Sequence, residues 1–213
     1  MEGKDKNIPA KPILLTADDG KYGVYKNAYP LLKKYGATLS LAIIGYEIDS
    51  TTESPEARNK STAPFCIWSE IAEMADSGAV EIISHTQNMH IFSHDNRTGA
   101  NCAEGEEYSS FLPAAQADFA VFNRNLKEHS VKPTVAMAYP YSKRSVTADK
   151  AWIASGYKVL LGGDDDKERK TQMNYFVFGA GINSKSAVLQ RLPRMINIPL
   201  KNYINDAVKH DGN

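Results

Sequence analysis

The stretch Ile13-Leu14-Leu15-Thr16-Ala17-Asp18-Asp19-Gly20 joins a short apolar run to an acidic pair and a glycine. A continuous apolar run that ends in turn residues is typical of a strand buried on both faces in a parallel sheet. Six further β-rich runs follow along the chain, at residues 39–44, 80–84, 134–139, 158–161, 175–178 and 192–198. The sequence therefore predicts seven strands.

Helical patterns lie between these strand candidates. Apolar residues recur at helical spacing in three segments, at residues 24–35, 68–75 and 115–126. Strands that alternate with helices favour a parallel sheet covered by helices. We expect an α/β fold, a distorted (β/α)7 barrel, in a single domain over residues 1–213, because no linker rich in proline, glycine or serine divides the chain. The polar segments 47–64 and 93–112 are interpreted as insertions over one rim of that barrel.

Composition limits the classes of partner. Lysine plus arginine equal aspartate plus glutamate at 25 each, so the net charge gives no reason to expect nucleic acid or an acidic membrane surface as partner. No run of about 18 apolar residues exists, which predicts no membrane span. The first residues, 1–6, lack the apolar core of a secretory signal, so the chain taken literally is expected to be soluble and unexported.

A second polar motif, Ser84-His85-Thr86-Gln87-Asn88-Met89-His90, follows the third strand candidate. Functional residues of such barrels gather at the carboxyl ends of strands, so this motif and the acidic pair are expected at one rim. One carboxylate and two imidazoles suit a borderline divalent cation such as zinc. On a regular helix two histidines five residues apart diverge by about 140°, so His85 and His90 need a loop or a distorted turn.

The two motifs resemble those of the polysaccharide deacetylases of the NodB-homology class, carbohydrate esterase family four. The family motif T-F-D-D-G stands here as Thr16-Ala17-Asp18-Asp19-Gly20, and H-[ST]-x-x-H stands as His85-Thr86 followed by His90, one residue later than usual. The longer spacing resembles the branch that acts on poly-N-acetylglucosamine. The resemblance covers most of the chain and implies the same barrel and a divalent metal, zinc first, with cobalt or nickel as alternatives.

The resemblance also implies a role for each motif residue and a setting for the enzyme. Asp19, His85 and His90 would be the metal ligands, and Asp18 would be the base that takes a proton from the attacking water. The backbone N–H of Tyr141 would donate to the oxyanion. The substrate would be an N-acetylated polysaccharide or oligosaccharide, and the enzyme would work outside the cell or in the cell envelope, in which case a leader has been removed from this chain. The oligomeric state stays open.

Two later motifs depart from the family. R-x-P-Y stands as Ala138-Tyr139-Pro140-Tyr141, so the arginine that braces the base is missing, and Arg191 or Arg194 could substitute for it. The histidine of the last motif, L-x-H, is absent from residues 194–199, so His94 or the protonated Asp18 could supply the leaving group with its proton. The acidic run at residues 164–166 matches the family's fourth motif or is a solvated loop.

Several other interpretations compete with this one. An acidic pair before glycine is also a common solvated turn. Two histidines and a carboxylate could belong to a non-haem iron oxygenase, although its usual H-x-D pair is absent. The missing arginine and histidine could mark a relative that only binds glycan, and O-acetylated xylan or peptidoglycan are alternative substrates. Aromatic residues near the rim could stack on sugar rings, although several are expected in the core: Tyr22, Tyr46, Trp68, Tyr139 and Tyr141.

Overall fold

A single sheet forms the centre of the computed structural model, which describes residues 14–59, 61–91, 97–162 and 176–178. Within these ranges the strands are β1 (Leu15–Ala17), β2 (Leu39–Ile43), β3 (Val80–Ser84), β4 (Ala136–Ala138), β5 (Val159–Leu161) and β6 (Phe176–Phe178). They lie in the order of the sequence, and β1 to β5 pair in parallel, each with its successor. The predicted α/β fold of a distorted (β/α) barrel is confirmed, with five parallel strands that form a half-barrel. The seventh strand candidate, at 192–198, lies outside the described residues.

Helices occupy every connection between the parallel strands. They are α1 (Tyr29–Tyr35), α2 (Gly45–Glu53), α3 (Pro55–Asn59), α4 (Trp68–Asp76), α5 (Tyr108–Glu128) and α6 (Val146–Ser155). A π-helical turn, Val24–Ala28, precedes α1, and a 3₁₀ turn, Pro140–Ser142, follows β4. The three predicted helical segments are confirmed, whereas α2 and α3 lie largely within a segment interpreted as a polar insertion. None of the helices in the described ranges is long and apolar enough to cross a membrane.

The sixth strand departs from the prediction of a wholly parallel sheet, because β6 pairs antiparallel with β5. Parallel neighbours need a crossover connection, which is usually a helix with an apolar stripe. The intervening sequence runs Asp-Asp-Asp-Lys-Glu-Arg-Lys from residue 164 to residue 170, and such a charged run supplies no apolar stripe. The β-rich composition of 175–178 predicted a strand correctly but carried no information on its direction.

Among the described residues, α5 connects the two largest apolar clusters of the core. The first cluster packs β2 and β3 against α4 and includes Phe122 and Leu126 of α5. The second packs β4 and β5 against α6 and includes Phe111 and Ala115 of α5. Because α5 is anchored in both clusters over most of its length, it provides a rigid support for polar side chains that face the sheet between them.

The turn after β1 is confined by the core at Gly20. Its backbone is left-handed, with φ of 79°, and a Cβ there would lie 3.1 Å from side-chain atoms of both Ile43 and Ile48. Gly36, at the end of α1, is left-handed as well, with φ of 61°, but a Cβ there would have nothing within 4 Å. Alanine substitutions at the two glycines therefore separate two costs in stability. Both contain the cost of a left-handed alanine, and only the one at Gly20 adds the cost of crowding Ile43 and Ile48.

We expect Gly20→Ala to destabilise the protein more than Gly36→Ala. A left-handed L-residue costs about 1–2 kcal/mol, which is the whole loss expected for Gly36→Ala. Crowding a packed core adds about 1–3 kcal/mol for Gly20→Ala. Urea unfolding of both variants measures the difference in free energy. Equal losses would show that Ile43 and Ile48 do not confine the turn.

Candidate metal centre

Strained backbone marks the turns at one edge of the sheet. Five non-glycine residues of the described chain have a left-handed backbone, and four of them follow the carboxyl ends of β1, β3 and β4. These four are Asp19 (φ 74°), Thr86 (φ 74°), Tyr141 (φ 57°) and Ser142 (φ 58°). Such conformations persist only where the surrounding structure enforces them, and they cluster at functional sites. The three turns therefore define one candidate site.

Three potential ligand atoms converge at this edge. The Nε2 atoms of His85 and His90 each lie 3.6 Å from Oδ1 of Asp19. Ligand atoms of all three residues lie within 4.8 Å of one another. Two ligands that are each about 2.1 Å from a tetrahedral ion stand about 3.4 Å apart, so the two separations to the carboxylate fit a bound zinc-like ion. The turn after β3 supplies the irregular backbone that the histidine spacing requires.

Hydrogen bonds orient both imidazoles with Nε2 toward the carboxylate. Nδ1 of His85 lies 2.8 Å from the carbonyl oxygen of Ala138, and a carbonyl only accepts, so Nδ1 carries the proton. Nδ1 of His90 lies 3.1 Å from the hydroxyl of Tyr141. Burial lowers the pKa of His85, against the opposing effects of Asp18 and of the bond to Ala138. A neutral ring with its proton on Nδ1 is the form that binds a metal through Nε2.

Asp18 and Tyr141 lie beside these three residues. Asp18 is close enough to His85 for its negative charge to raise the histidine pKa. The ring of Tyr141 is tilted against that of His90, with centroids 4.6 Å apart. Partial burial and the charge of Asp19 raise the pKa of Tyr141, so its hydroxyl stays protonated. All five site residues predicted from the sequence thus lie at one edge of the sheet.

Ala138 stands where the family motif has an arginine. Its backbone carbonyl accepts the hydrogen bond from Nδ1 of His85. Nearby, Arg144 forms an ion pair with the buried Asp149, which also accepts a hydrogen bond of 2.8 Å from the hydroxyl of Tyr139. This group supports the turn after β4. The other residues weighed for the missing roles, which are His94, residues 164–166, Arg191 and Arg194, lie outside the described residues.

The aromatic residues suggested for sugar stacking divide into three groups. Trp68 and Tyr139 are each only 2% exposed and belong to the core. Tyr22 is covered by the guanidinium of Arg58, 3.7 Å from its ring centroid. Tyr46 and Tyr141 are 58% and 38% exposed, so these two have rings accessible to a glycan.

We expect Tyr141→Phe to weaken metal binding by about tenfold, because it removes the hydroxyl that orients His90, and partners of this kind typically contribute tenfold or more. The backbone N–H stays, so turnover at saturating metal should change little. Competition against a chelator measures the affinity, and Tyr108→Phe, at an equally exposed tyrosine far along the chain, is the control. Unchanged affinity in Tyr141→Phe would contradict a role for the hydroxyl at His90.

Comparison with known sequences identifies the class of protein to which this fold and this site belong. The sequence model described as polysaccharide deacetylase matches residues 5–160. This match spans well over half of the 213 residues, and the chain belongs to the polysaccharide deacetylase family.

Individual relatives agree with this assignment. The poly-beta-1,6-N-acetyl-D-glucosamine N-deacetylase of Escherichia coli (strain K12) is 30% identical over 98 residues, which are 45% of this chain and 15% of that protein. A solved de-N-acetylase from Aggregatibacter actinomycetemcomitans matches with a TM-score of 0.61 and 25% identity, covering 75% of this chain and 66% of that one. IcaB from Ammonifex degensii shares the fold, with a TM-score of 0.65, 20% identity and coverage of 97% and 76%. Matches to curated relatives cover from 15% of their length, in the Escherichia coli protein, to 47%, in a Bacillus subtilis protein named as a putative polysaccharide deacetylase.

Proposed function

We propose that this protein is a metal-dependent deacetylase that removes N-acetyl groups from a polymer of N-acetylglucosamine. The observation that carries the proposal is the convergence of Asp19, His85 and His90 on a chain of the polysaccharide deacetylase family. The substrate follows from the relatives, since the Escherichia coli protein is named as a deacetylase of poly-beta-1,6-N-acetyl-D-glucosamine. Action on such a polymer would place the protein outside the cell or in the cell envelope.

The donor set supports zinc as the metal, with cobalt or nickel as alternatives. Two neutral imidazole nitrogens and one carboxylate oxygen suit borderline divalent ions, and three protein ligands leave positions for water and substrate. When bound there, such an ion polarises the acetyl carbonyl and lowers the pKa of a coordinated water. Asp19, His85 and His90 would hold it through the atoms that face one another in the structure.

The remaining steps belong to Asp18 and Tyr141. The carboxylate of Asp18 accepts a proton from the attacking water as the C–O bond forms. The backbone N–H of Tyr141 donates to the carbonyl oxygen as that oxygen gains negative charge, which is the usual work of an oxyanion donor. The protonated Asp18 then delivers its proton to the departing sugar amine as the C–N bond breaks. Acetate and a free glucosamine unit are the products.

One observation favours a second candidate, a family member with weak turnover that mainly binds glycan. Ala138 stands where the family motif has the arginine that, by resemblance, braces the base. The exposed rings of Tyr46 and Tyr141 would serve glycan binding in either case. The two candidates differ in acetate release and not in affinity for the polymer.

A panel of acetylated polymers tests the proposal. Purified protein would be supplied with zinc and assayed for acetate release from poly-β-1,6-N-acetylglucosamine, chitin oligomers, peptidoglycan and O-acetylated xylan, with Asp18→Asn as the blank. We expect the highest kcat/KM on poly-β-1,6-N-acetylglucosamine. Release from O-acetylated xylan alone would assign a different substrate. Binding of a polymer and of metal without acetate from any substrate would favour the glycan-binding candidate.

A further inference from the structure

The loop between the two histidines is held mainly by groups from outside it. Its backbone N–H groups at Thr86 and Met89 donate to the hydroxyls of Ser84 and of Thr86, at 3.0 and 3.1 Å. The two N–H groups in the middle, of Gln87 and Asn88, donate instead to one side chain, which lies 31 and 30 residues further along the chain. The conformation of the loop therefore depends on that distant side chain.

The acceptor is Asp118, in the middle of α5. Its Oδ1 accepts from the Gln87 N–H at 2.9 Å, and its Oδ2 accepts from the Asn88 N–H at 2.8 Å. Only 6% of Asp118 is exposed. Burial raises its pKa to about 6, while the two bonds act in the opposite direction, so the carboxylate is ionised above that pH. A buried charge is costly, and its retention here is explained by two charge-assisted bonds to one loop.

Helix α2 holds the opposite side of the same loop. The N–H groups of Gly45 and Tyr46 donate to the carbonyl oxygens of Thr86 and Gln87, at 3.0 and 2.9 Å. The Gln87 side chain donates to Asp49 of α2 at 2.7 Å. A Cβ at residue 45 would collide with the Gln87 amide, so glycine is required for this approach. The loop is thus fixed between α2, which binds its carbonyls, and α5, which binds its N–H groups.

The position of this clamp matters because Gln87 and Asn88 lie between the two histidines. His85 is fixed by β3 and by its bond to Ala138, whereas His90 follows the irregular part of the loop. The direction of His90 relative to His85 is therefore set by the backbone at 86–89. Without a fixed loop, the ligand atoms would have to be ordered when the metal binds, and that ordering would weaken binding.

We propose that Asp118 is a positioning residue of the metal centre, whose two bonds to the loop hold His85 and His90 in the ligand geometry before the metal arrives. The inference rests on the proposed function, since it assumes that the three convergent residues bind a metal. It concerns the affinity of that site and not the chemical step. The two hydrogen bonds of Asp118 go to the backbone of Gln87 and Asn88 and not to Asp19, His85 or His90, so its proposed effect on the ligands passes through the loop.

The variant Asp118→Asn tests this role with the least change of shape. An asparagine has one oxygen acceptor, and its NH₂ group would face the second N–H donor, so one bond is lost and two donors oppose each other. We expect cobalt affinity to fall by about 10- to 100-fold, the usual effect of losing a group that orients a ligand. The visible spectrum of bound cobalt should also change if His90 shifts. Turnover at saturating metal should fall much less than the affinity.

A matched control lies on the same helix. Asn123 is buried to a similar extent, at 8% exposed, and its Oδ1 accepts the N–H of Thr134 at 2.8 Å, away from the loop. Asn123→Ala should lower thermal stability and leave cobalt affinity unchanged. Equal cobalt affinity and an identical spectrum in Asp118→Asn and in the unsubstituted protein would overturn the inference. An equal loss of affinity in Asn123→Ala would also overturn it, since the effect would then be general destabilisation.

Hydrogen exchange in the unsubstituted, metal-free protein gives a second test that needs no variant. At roughly pH 8, where Asp118 with its pKa of about 6 is ionised, the amides of Gln87 and Asn88 should exchange slowly. Exchange as fast as in an exposed loop would overturn the inference even if metal binds. If only the proposed function is wrong, the protein releases no acetate and the variants still show the predicted differences in cobalt affinity. A protein that binds no cobalt would overturn both.

Discussion

Replacing Asp19 with alanine is expected to abolish metal binding and, with it, acetate release. Oδ1 of Asp19 lies 3.6 Å from Nε2 of both histidines, so it is the atom that the other two ligands share as a neighbour. Without it, two neutral imidazoles remain, and they carry no negative charge to balance a divalent ion. Loss of a Lewis acid worth several kcal/mol lowers the rate by about 10³-fold or more.

Metal content after equilibrium dialysis, followed by acetate release, measures this effect. The exposed Asp76, at the end of α4, offers a control, since Asp76→Ala removes a carboxylate of the same kind far from the site. The control should retain both metal and activity. One ion per chain in Asp19→Ala would show that the carboxylate is not a ligand, and the candidate centre would have to be assigned to other residues.

Replacing Asp18 with asparagine is expected to leave metal binding intact and to lower turnover by about 10²- to 10⁴-fold, the usual contribution of a general base. Asparagine has nearly the same shape as aspartate, so the turn after β1 keeps its geometry. Its amide cannot take a proton from water near neutral pH. Metal content and kcat, measured on the same preparation, separate this result from that of Asp19→Ala.

If the roles of the two neighbouring aspartates are assigned correctly, their variants differ in metal content although both are inactive. Asp18→Asn should contain metal and be inactive, whereas Asp19→Ala should contain none. Turnover within a few-fold of the unsubstituted protein in Asp18→Asn would mean that another group accepts the proton. Loss of metal in Asp18→Asn would mean that Asp18 is itself a ligand, and that the division of work within the pair is wrong.

Local sequence patterns predicted the parallel part of the sheet well. Short apolar runs such as 39–44 and 80–84 predict strands without any other information, because a strand buried on both faces is mostly apolar along its length. The position of the candidate ligands followed from the same reasoning, since Asp19 and His85 come directly after two such runs. Parallel strands of one sheet end at the same edge, so β1 and β3 bring these residues to one side although β2 lies between the two strands.

Contacts between distant parts of the chain were not predictable in this way. Asp118 stands in a helical segment where an aspartate normally faces solvent, and nothing local indicates that it binds the backbone of Gln87 and Asn88. The direction of β6 likewise depends on its partner and not on its composition. The role of Gly45 becomes visible only when the Gln87 side chain is seen to occupy the space of a Cβ. Long-range packing decides each of these features.

Acetate release during metal reconstitution shows whether turnover depends on an ion at the candidate centre. The protein would be freed of metal with a chelator, dialysed and titrated with zinc in the presence of poly-β-1,6-N-acetylglucosamine. We predict no acetate before zinc is added, and a rate that rises in proportion to zinc and levels off at one ion per chain. Acetate release that is equally fast without metal, or a rate that stays at zero with one ion bound, would contradict a metal-dependent deacetylase built on Asp19, His85 and His90.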